Sequence, residues 1–249
     1  MLFDFHVRVG PGTPPMDRLL SIMDSYGIAR AGVAAGGLLD LDRLSAQILT
    51  GAHTDVDADN DGVLQACRAA ADRLLPFYFA NPRRGTAEYR DQVDRFRGLE
   101  LSPAVHGIGF DDPRTADLVA VAERAGHPVY VVCLGRSGTT AADLVALARR
   151  FPAVTFVFGH CGFIGIDTHG LTVVAPQPNI LAETSGCFTV VARLAVARLG
   201  CERVLFGTEY PLQHPRVELA KFASLELPDP SWQQIAWRNA HRVFGEEKP

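Results

Sequence analysis

Read alone, the sequence predicts an α/β protein, a single (β/α)8 TIM-type barrel occupying residues 1–249 as one domain. Three observations carry the prediction. Eight short strand-like apolar runs are spread along the chain, and segments with helical spacing of apolar residues lie between them. Several runs, such as Val129-Tyr130-Val131-Val132, are apolar on both faces, as parallel strands covered by helices require. Repeated βα units over a chain of this length point to a closed barrel. A doubly wound open sheet is the alternative. No glycine-rich GxGxxG turn follows a strand run to support it, and no linker or internal repeat divides the chain.

Taken in order, strand 2–7 leads to a helix at 16–26 and a second strand at 30–34. The connection 36–61 is then long, a length typical of lids and binding loops. It ends in Asp57-Ala58-Asp59-Asn60-Asp61-Gly62, which reads like the start of a calcium loop. The twelfth loop position is Arg68 where calcium needs a bidentate glutamate, so capping is the better reading. Asp59, Asn60 or Asp61 is expected to cap a helix at 62–73, where acidic groups suit the positive helix end. Further strands are expected at 75–80, 105–110, 129–133, 154–158, 180–184 and 203–207. Helices are expected at 87–97, 115–125, 141–150 and 190–199, with 216–225 and 231–244 closing the chain. Pro211 prevents the last strand from continuing.

Composition narrows the function classes. With 47% hydrophobic residues the chain can bury a large core. A net charge of -4 without a basic block argues against nucleic acid as a partner. No apolar run approaches the roughly 20 residues that span a bilayer, so no membrane partner is expected. Met1 leads straight into a strand without a charged leader and apolar segment. The five cysteines are scattered and form no CxxC pair, which favours reduced thiols and a cytoplasmic location.

In such a barrel the C-terminal strand ends converge on one mouth, where chemistry is placed. Strand 1 delivers His6 and Arg8, with Asp4 expected on the same face one layer deeper. Strand 5 delivers Val132 and Cys133, strand 6 His160 beside Gly159 and Gly162, and strand 8 Glu209. One strand-end histidine is commonly structural; two histidines, an arginine and a carboxylate from three strand ends point to a site. His53, His169 and His214 fall in loops after strands 2, 6 and 8, and Arg136 follows strand 5, so these four are candidate substrate contacts. A solvated loop arginine is the bland alternative for Arg136. His127 precedes strand 5 at the opposite face, His241 is expected to pack on the last helix, and His106 to face the helix layer. Cys133 and Cys161 read as packing residues.

These residues also resemble a family. Asp4-Phe5-His6, Pro128-Val129-Tyr130-Val131, Val157-Phe158-Gly159-His160-Cys161-Gly162 and Pro178-Asn179-Ile180 are similar to stretches of the amidohydrolase superfamily. So are Arg203-Val204-Leu205-Phe206-Gly207-Thr208-Glu209-Tyr210-Pro211 and Asn239-Ala240-His241-Arg242-Val243-Phe244-Gly245. The branch it resembles includes aminocarboxymuconate-semialdehyde decarboxylase and γ-resorcylate decarboxylase. The resemblance implies a barrel with one or two divalent metals at its mouth, and a sixth-strand histidine, here His160, acting in proton transfer. The departures are specific. His6-Val7-Arg8 stands for the usual His-x-His, Val132 for a strand 5 histidine, Gly107-Ile108-Gly109-Phe110 for the strand 4 lysine region, and Glu209 for an aspartate.

Charge weighs against a metal. A guanidinium at 4 Å from a cation costs roughly 4 kcal/mol per unit charge at an effective dielectric of about 20, and a dication doubles this. Against that, His6, His160 and Glu209 could form a two-histidine, one-carboxylate set for zinc or another divalent ion. The sequence therefore favours no cofactor and an acid/base enzyme acting on a carbonyl- or carboxylate-bearing small molecule. The reaction would be cyclisation, isomerisation, dehydration or decarboxylation, with His160 as acid/base, Glu209 as second carboxylate, Arg8 as anion anchor and His6 as hydrogen-bonding partner. A mononuclear metal-dependent hydrolase or decarboxylase and an inactive barrel serving as a binding subunit are the two alternatives. A homodimer is expected only by analogy with relatives.

Overall fold

Eight strands add in chain order, each parallel to the last, because every connection between them is a crossover. They are β1 (Leu2–Val9), β2 (Ile28–Ala35), β3 (Leu74–Phe79), β4 (Gly98–Leu101), β5 (Val129–Val131), β6 (Phe156–Phe158), β7 (Ile180–Glu183) and β8 (Val204–Leu205). The computed structural model describes residues 1–70 and 72–246. The surrounding helices begin with α1 (Met16–Ser25), α2 (Leu41–Thr50), α3 (Asn60–Ala69), α4 (Ala87–Gln92), α5 (Pro103–His106) and α6 (Pro113–Ala125). They continue with α7 (Ala141–Arg150), α8 (Thr168–Val174), α9 (Thr189–Leu199), α10 (Pro215–Ala223), α11 (Asp229–Gln233) and α12 (Asn239–Val243).

Closure does not come from β8 itself, which is two residues long. The chain beyond it completes the barrel. Phe5 N donates to Phe206 O (2.9 Å), Glu209 N to His6 O (2.9 Å) and Arg8 N to Tyr210 O (2.8 Å). The buried Asp4 carboxylate adds a side-chain tie, accepting from Thr208 N (2.8 Å) and Thr208 Oγ1 (2.5 Å). The same seam that closes the barrel therefore carries Glu209 to the side of His6.

Inside the barrel, Phe3, Phe5, Phe77 and Phe244 pack as an aromatic plug. Phe5 lies 5.7 Å from Phe77 and 5.3 Å from Phe244, centroid to centroid. Above this plug β1 shifts register against β2 between Asp4 and Val7. Such a bulge reverses the alternation of side chains. It lets Phe5 join the plug while His6 and Arg8 reach the mouth, so Asp4 does not share their face as the unbroken alternation predicted.

Three sequence expectations are corrected here. The fourth strand is Gly98–Leu101, not 105–110; Ser102-Pro103 starts the short helix α5 there, and His106 ends it. His106 is buried in the loop layer, its Nε2 3.2 Å from Val56 O, rather than on a strand facing helices. The connection 36–61 is not all loop, because Asp40 caps α2 by accepting from Arg43 N (2.8 Å) and Gly51 ends it with φ 81°. Of the three candidate caps for the next helix, Asp59 acts, accepting from Gly62 N (2.8 Å). The helix expected at 62–73 runs as α3 over Asn60–Ala69; residue 71 lies outside the described residues.

Phe5 is fully buried in the plug on which the mouth residues rest. Phe5→Ala is expected to lower unfolding free energy by about 3–5 kcal/mol, measured by denaturant titration.

Candidate active site

At the mouth, two cations stand between two carboxylates. Glu100 comes from the end of β4 and Glu209 from the closing seam. Arg8 Nε donates to Glu209 Oε1 (2.9 Å), and Arg8 Nη1 donates to Glu100 Oε2 (2.9 Å) and Ala35 O (3.2 Å). Arg8 Nη2 lies 2.7 Å from Glu100 Oε1. His6 bridges the same pair, with Nδ1 against Glu209 Oε2 in a short contact and Nε2 3.1 Å from Glu100 Oε2. A ring whose two nitrogens both face carboxylates must donate from both, so His6 is an imidazolium. The Tyr130 ring stacks on it, 4.0 Å away between centroids and nearly parallel.

Burial opposes every charge here, and mutual attraction overrides it. Burial would lower His6, but Glu209 and Glu100 raise it to about 9. Burial would raise Glu100 and Glu209, but Arg8 and His6 hold both below the usual carboxylate range, Glu209 well below it. Asp4 differs: burial pushes it up to about 7 against its bonds from Thr208 and from His6 N.

A second network lies across the mouth, around His160. Glu183, at the end of β7, accepts from Ser185 N (2.5 Å), Ser185 Oγ (2.9 Å), Tyr130 OH (2.8 Å) and His160 N (3.2 Å). Because the Ser185 hydroxyl proton goes to Glu183, Ser185 Oγ must accept from His160 Nδ1, 2.9 Å away. At 2.9 Å this contact is closer than the 3.4 Å between His160 Nε2 and Tyr130 OH, so a ring with one proton carries it on Nδ1 and turns Nε2 toward the Tyr130 oxygen. His160 itself adopts φ 58°, and Glu209 φ 56°, conformations that residues other than glycine seldom take outside functional sites. Gly159 is required beside it: a Cβ there would stand 2.5 Å from the Tyr130 ring.

The structure thus brings together His6, Arg8 and Glu209, and sets His160 6.1 Å from His6 between ring centroids. It adds Glu100, Tyr130, Glu183 and Ser185. The signal for the two glutamates was a charged residue within a buried strand end, Leu99-Glu100-Leu101 and Ala182-Glu183-Thr184. A cavity of about 550 Å³ opens above Arg8 and Glu209, roofed by the segment that includes Leu38, Leu39 and Leu44. His53, Arg136, His169 and His214 are absent from its lining, and so is His160, which stands across the mouth beyond His6. His53 and His169 are exposed, Arg136 lies beside Gly51, and His214 caps α10 by accepting from Arg216 N. Val132, half-buried, follows Tyr130 on β5 and offers no donor atom.

A divalent ion does not fit these side chains. Ligation needs a neutral imidazole with a free lone pair, and His6 has none. Both carboxylates are occupied by the guanidinium. Among the described residues, no three of His, Cys, Asp and Glu are disposed to hold an ion.

The comparisons bear on the family and the barrel fold. A family model described as amidohydrolase matches residues 3–245. The chain belongs to the amidohydrolase family. It is an amidohydrolase-superfamily enzyme. Among solved amidohydrolase-like barrels, 2,6-dihydroxybenzoate decarboxylase from Rhizobium is 18% identical, with 98% of each chain covered and a TM-score of 0.72. A probable 2-pyrone-4,6-dicarboxylic acid hydrolase from Acinetobacter baumannii is 13% identical, covers 98% of this chain and 99% of its own, and has a TM-score of 0.71. A 5-carboxyvanillate decarboxylase from Novosphingobium aromaticivorans with bound manganese is 16% identical over 92% of this chain and 80% of its own, at 0.68. Among curated proteins, an error-prone DNA polymerase of Nocardia farcinica (strain IFM 10152) is 35% identical over 142 residues, 49% of this chain. This amidohydrolase spans 12% of that polymerase's length. No helix among the described residues is long and apolar enough to cross a membrane.

The charge cluster sets a pH dependence. His6, raised to about 9, contributes stability that is complete below its ordinary value near 6.5 and lost as pH rises through 9. Asp4, raised to about 7, loses its contribution as pH rises toward 7. Glu100 and Glu209, held low, contribute above the ordinary carboxylate range and lose this in acid. Each tenfold change in proton affinity between the folded and unfolded chain is worth about 1.4 kcal/mol. Denaturant titrations at fixed salt are therefore expected to show unfolding free energy declining by a few kcal/mol as pH rises from about 6.5 to about 9.5.

Proposed function

We propose that this barrel performs acid/base chemistry on a carbonyl- or carboxylate-bearing small molecule, without a catalytic metal. The observation that carries the reading is the Arg8 guanidinium lodged between Glu100 and Glu209, with imidazolium His6 completing the set. A fixed guanidinium can steady negative charge that develops on a substrate oxygen. It cannot generate a hydroxide from water as a metal does. Lyase and isomerase chemistry (cyclisation, isomerisation, dehydration or decarboxylation) is favoured over hydrolysis on that ground.

The roles follow from the geometry. His160 Nε2 meets only the long 3.4 Å contact from Tyr130 OH, which a substrate group can replace, so it takes a proton from the substrate and returns it. Its side chain is 22% exposed, open enough to meet a ligand at the mouth. Ser185 and Glu183 hold its orientation and tautomer. Glu209, held strongly acidic, is a poor base at neutral pH and acts as a hydrogen-bond acceptor and counter-charge. His6 is locked between two carboxylates and serves to place them.

Two measurements test the reading. Freshly purified protein is expected to contain well under one equivalent of zinc, manganese or iron, and chelator should leave its thermal stability unchanged. In ¹⁵N-histidine spectra His160 should hold its neutral proton on Nδ1, and Ser185→Ala should return it to the ordinary preference for Nε2. Near-stoichiometric metal whose removal unfolds the mouth or abolishes turnover would overturn the proposal in favour of a metal-dependent hydrolase or decarboxylase.

A further inference from the structure

The charge balance around the large cavity narrows what it can hold. Its apolar walls include Leu38, Leu39, Leu44, Phe79, Val105 and Leu212, and its charged lining consists of Arg8, Glu209 and Asp40. Arg8 and Glu209 form the floor, their side chains 12% and 9% exposed. Directly behind them lie buried His6 and Glu100. The two floor cations are matched by two floor carboxylates, so the floor has no net charge. Asp40 at the rim, capping α2, makes the lining as a whole negative by one.

The hydrogen-bonding capacity of the floor is equally limited. Arg8 Nε and Nη1 are fully used by Glu209, Glu100 and Ala35 O. Nη2 carries two hydrogens and lies 2.7 Å from Glu100 Oε1 as an ion pair without the alignment of a hydrogen bond, so it is the one guanidinium nitrogen with donor capacity to spare. Glu209 is the acceptor beside it. Thr13, the other polar side chain of the lining, is closed on Gly10, donating to its O (2.8 Å) and accepting from its N (2.9 Å). An entering carboxylate would meet the hydrogens of one nitrogen, two carboxylates already holding the guanidinium, and a negative rim. Its desolvation would go uncompensated. An entering ammonium would meet the guanidinium at the floor. A neutral oxygen needs only one N–H of Nη2.

We infer that the cavity selects an uncharged, largely apolar compound whose ketone, aldehyde, ester or lactone oxygen sits on Arg8 Nη2, rather than a free carboxylate. This deepens the metal-free reading above and rests on it, since a bound dication would reverse the charge balance. On this inference the carbonyl arm of that reading holds and the carboxylate arm does not.

The test uses three probes of matched size on chelator-treated protein: 4-phenylbutan-2-one, 3-phenylpropanoate and 4-phenylbutan-2-amine. Calorimetry at neutral pH is expected to show the ketone binding about tenfold more tightly than either ion. Leu38→Trp, which narrows the cavity, should weaken all three and so locate them. Glu209→Gln leaves the floor with one net positive charge and should shift preference toward the carboxylate by about tenfold or more. If that variant does not fold, Asp40→Asn keeps a good cap and removes only the rim charge; it should move preference the same way by a few-fold. A wild-type protein that binds the carboxylate as tightly as the ketone, or that fails to bind the ketone by about 10 mM, overturns the inference. Metal content of the same preparation, measured before chelation, judges the metal-free reading separately.

Discussion

The mouth of this barrel depends on one arrangement: an arginine and a histidine from β1 held between glutamates from β4 and from the closing seam. Charges this deeply buried are expensive to strip of water, and only near-complete pairing offsets that. Here three of the four carboxylate oxygens are hydrogen-bonded to a cation and the fourth, Glu100 Oε1, stands 2.7 Å from Arg8 Nη2; the bonded pairs join residues 92 to 203 positions apart. The cluster therefore forms only when the first strand, the middle of the chain and the last seam are all in place. Asp4 and Thr208 reinforce the same junction one layer below. Barrel closure and assembly of the charged mouth are thus one event.

The His160 side of the mouth is organised on a different principle. There the backbone, not charge, does the placing. His160 and Cys161 both lie at positive φ, and Gly159 leaves room for the Tyr130 ring. Such strained conformations persist only when their surroundings over-determine them. The four hydrogen bonds converging on Glu183 provide that, reaching His160 through its own amide and through Ser185. Tyr130 connects the two halves, stacking on His6 while donating to Glu183. One half of the mouth fixes charge and the other fixes a proton's position.

Much of the fold was legible because it rests on apolar runs of the right length. Two-sided apolar strands and helical periodicity report burial directly, and seven of the eight strands were located by them. The fourth strand was missed because of the residue that ties it to the mouth. Its four residues include Glu100, whose charge reads as surface until Arg8 and His6, more than ninety residues away, are seen to neutralise it. Glu183 was concealed in the same way at the end of a correctly expected strand. His6, Arg8, Glu209 and His160 were found because they stand at strand ends next to glycine, proline or alternating apolar residues. The loop residues His53, Arg136, His169 and His214 were assigned to the mouth by chain position alone, and chain position does not report which side of a wide rim a side chain faces. The bulge in β1 was equally invisible, since no residue type demands it.

The roof of the cavity is a different kind of structure from its floor. Leu38, Leu39 and Leu44 belong to a short stretch and one capped helix laid across the barrel, and none of them takes part in the ionic assembly. Exchanging one such leucine for a larger or smaller residue alters the shape available to a guest while leaving the folding junction untouched. Substitutions at the lid thus reshape the space without disturbing a single ion pair, whereas any one change in the quartet beneath leaves a buried charge without its counterpart.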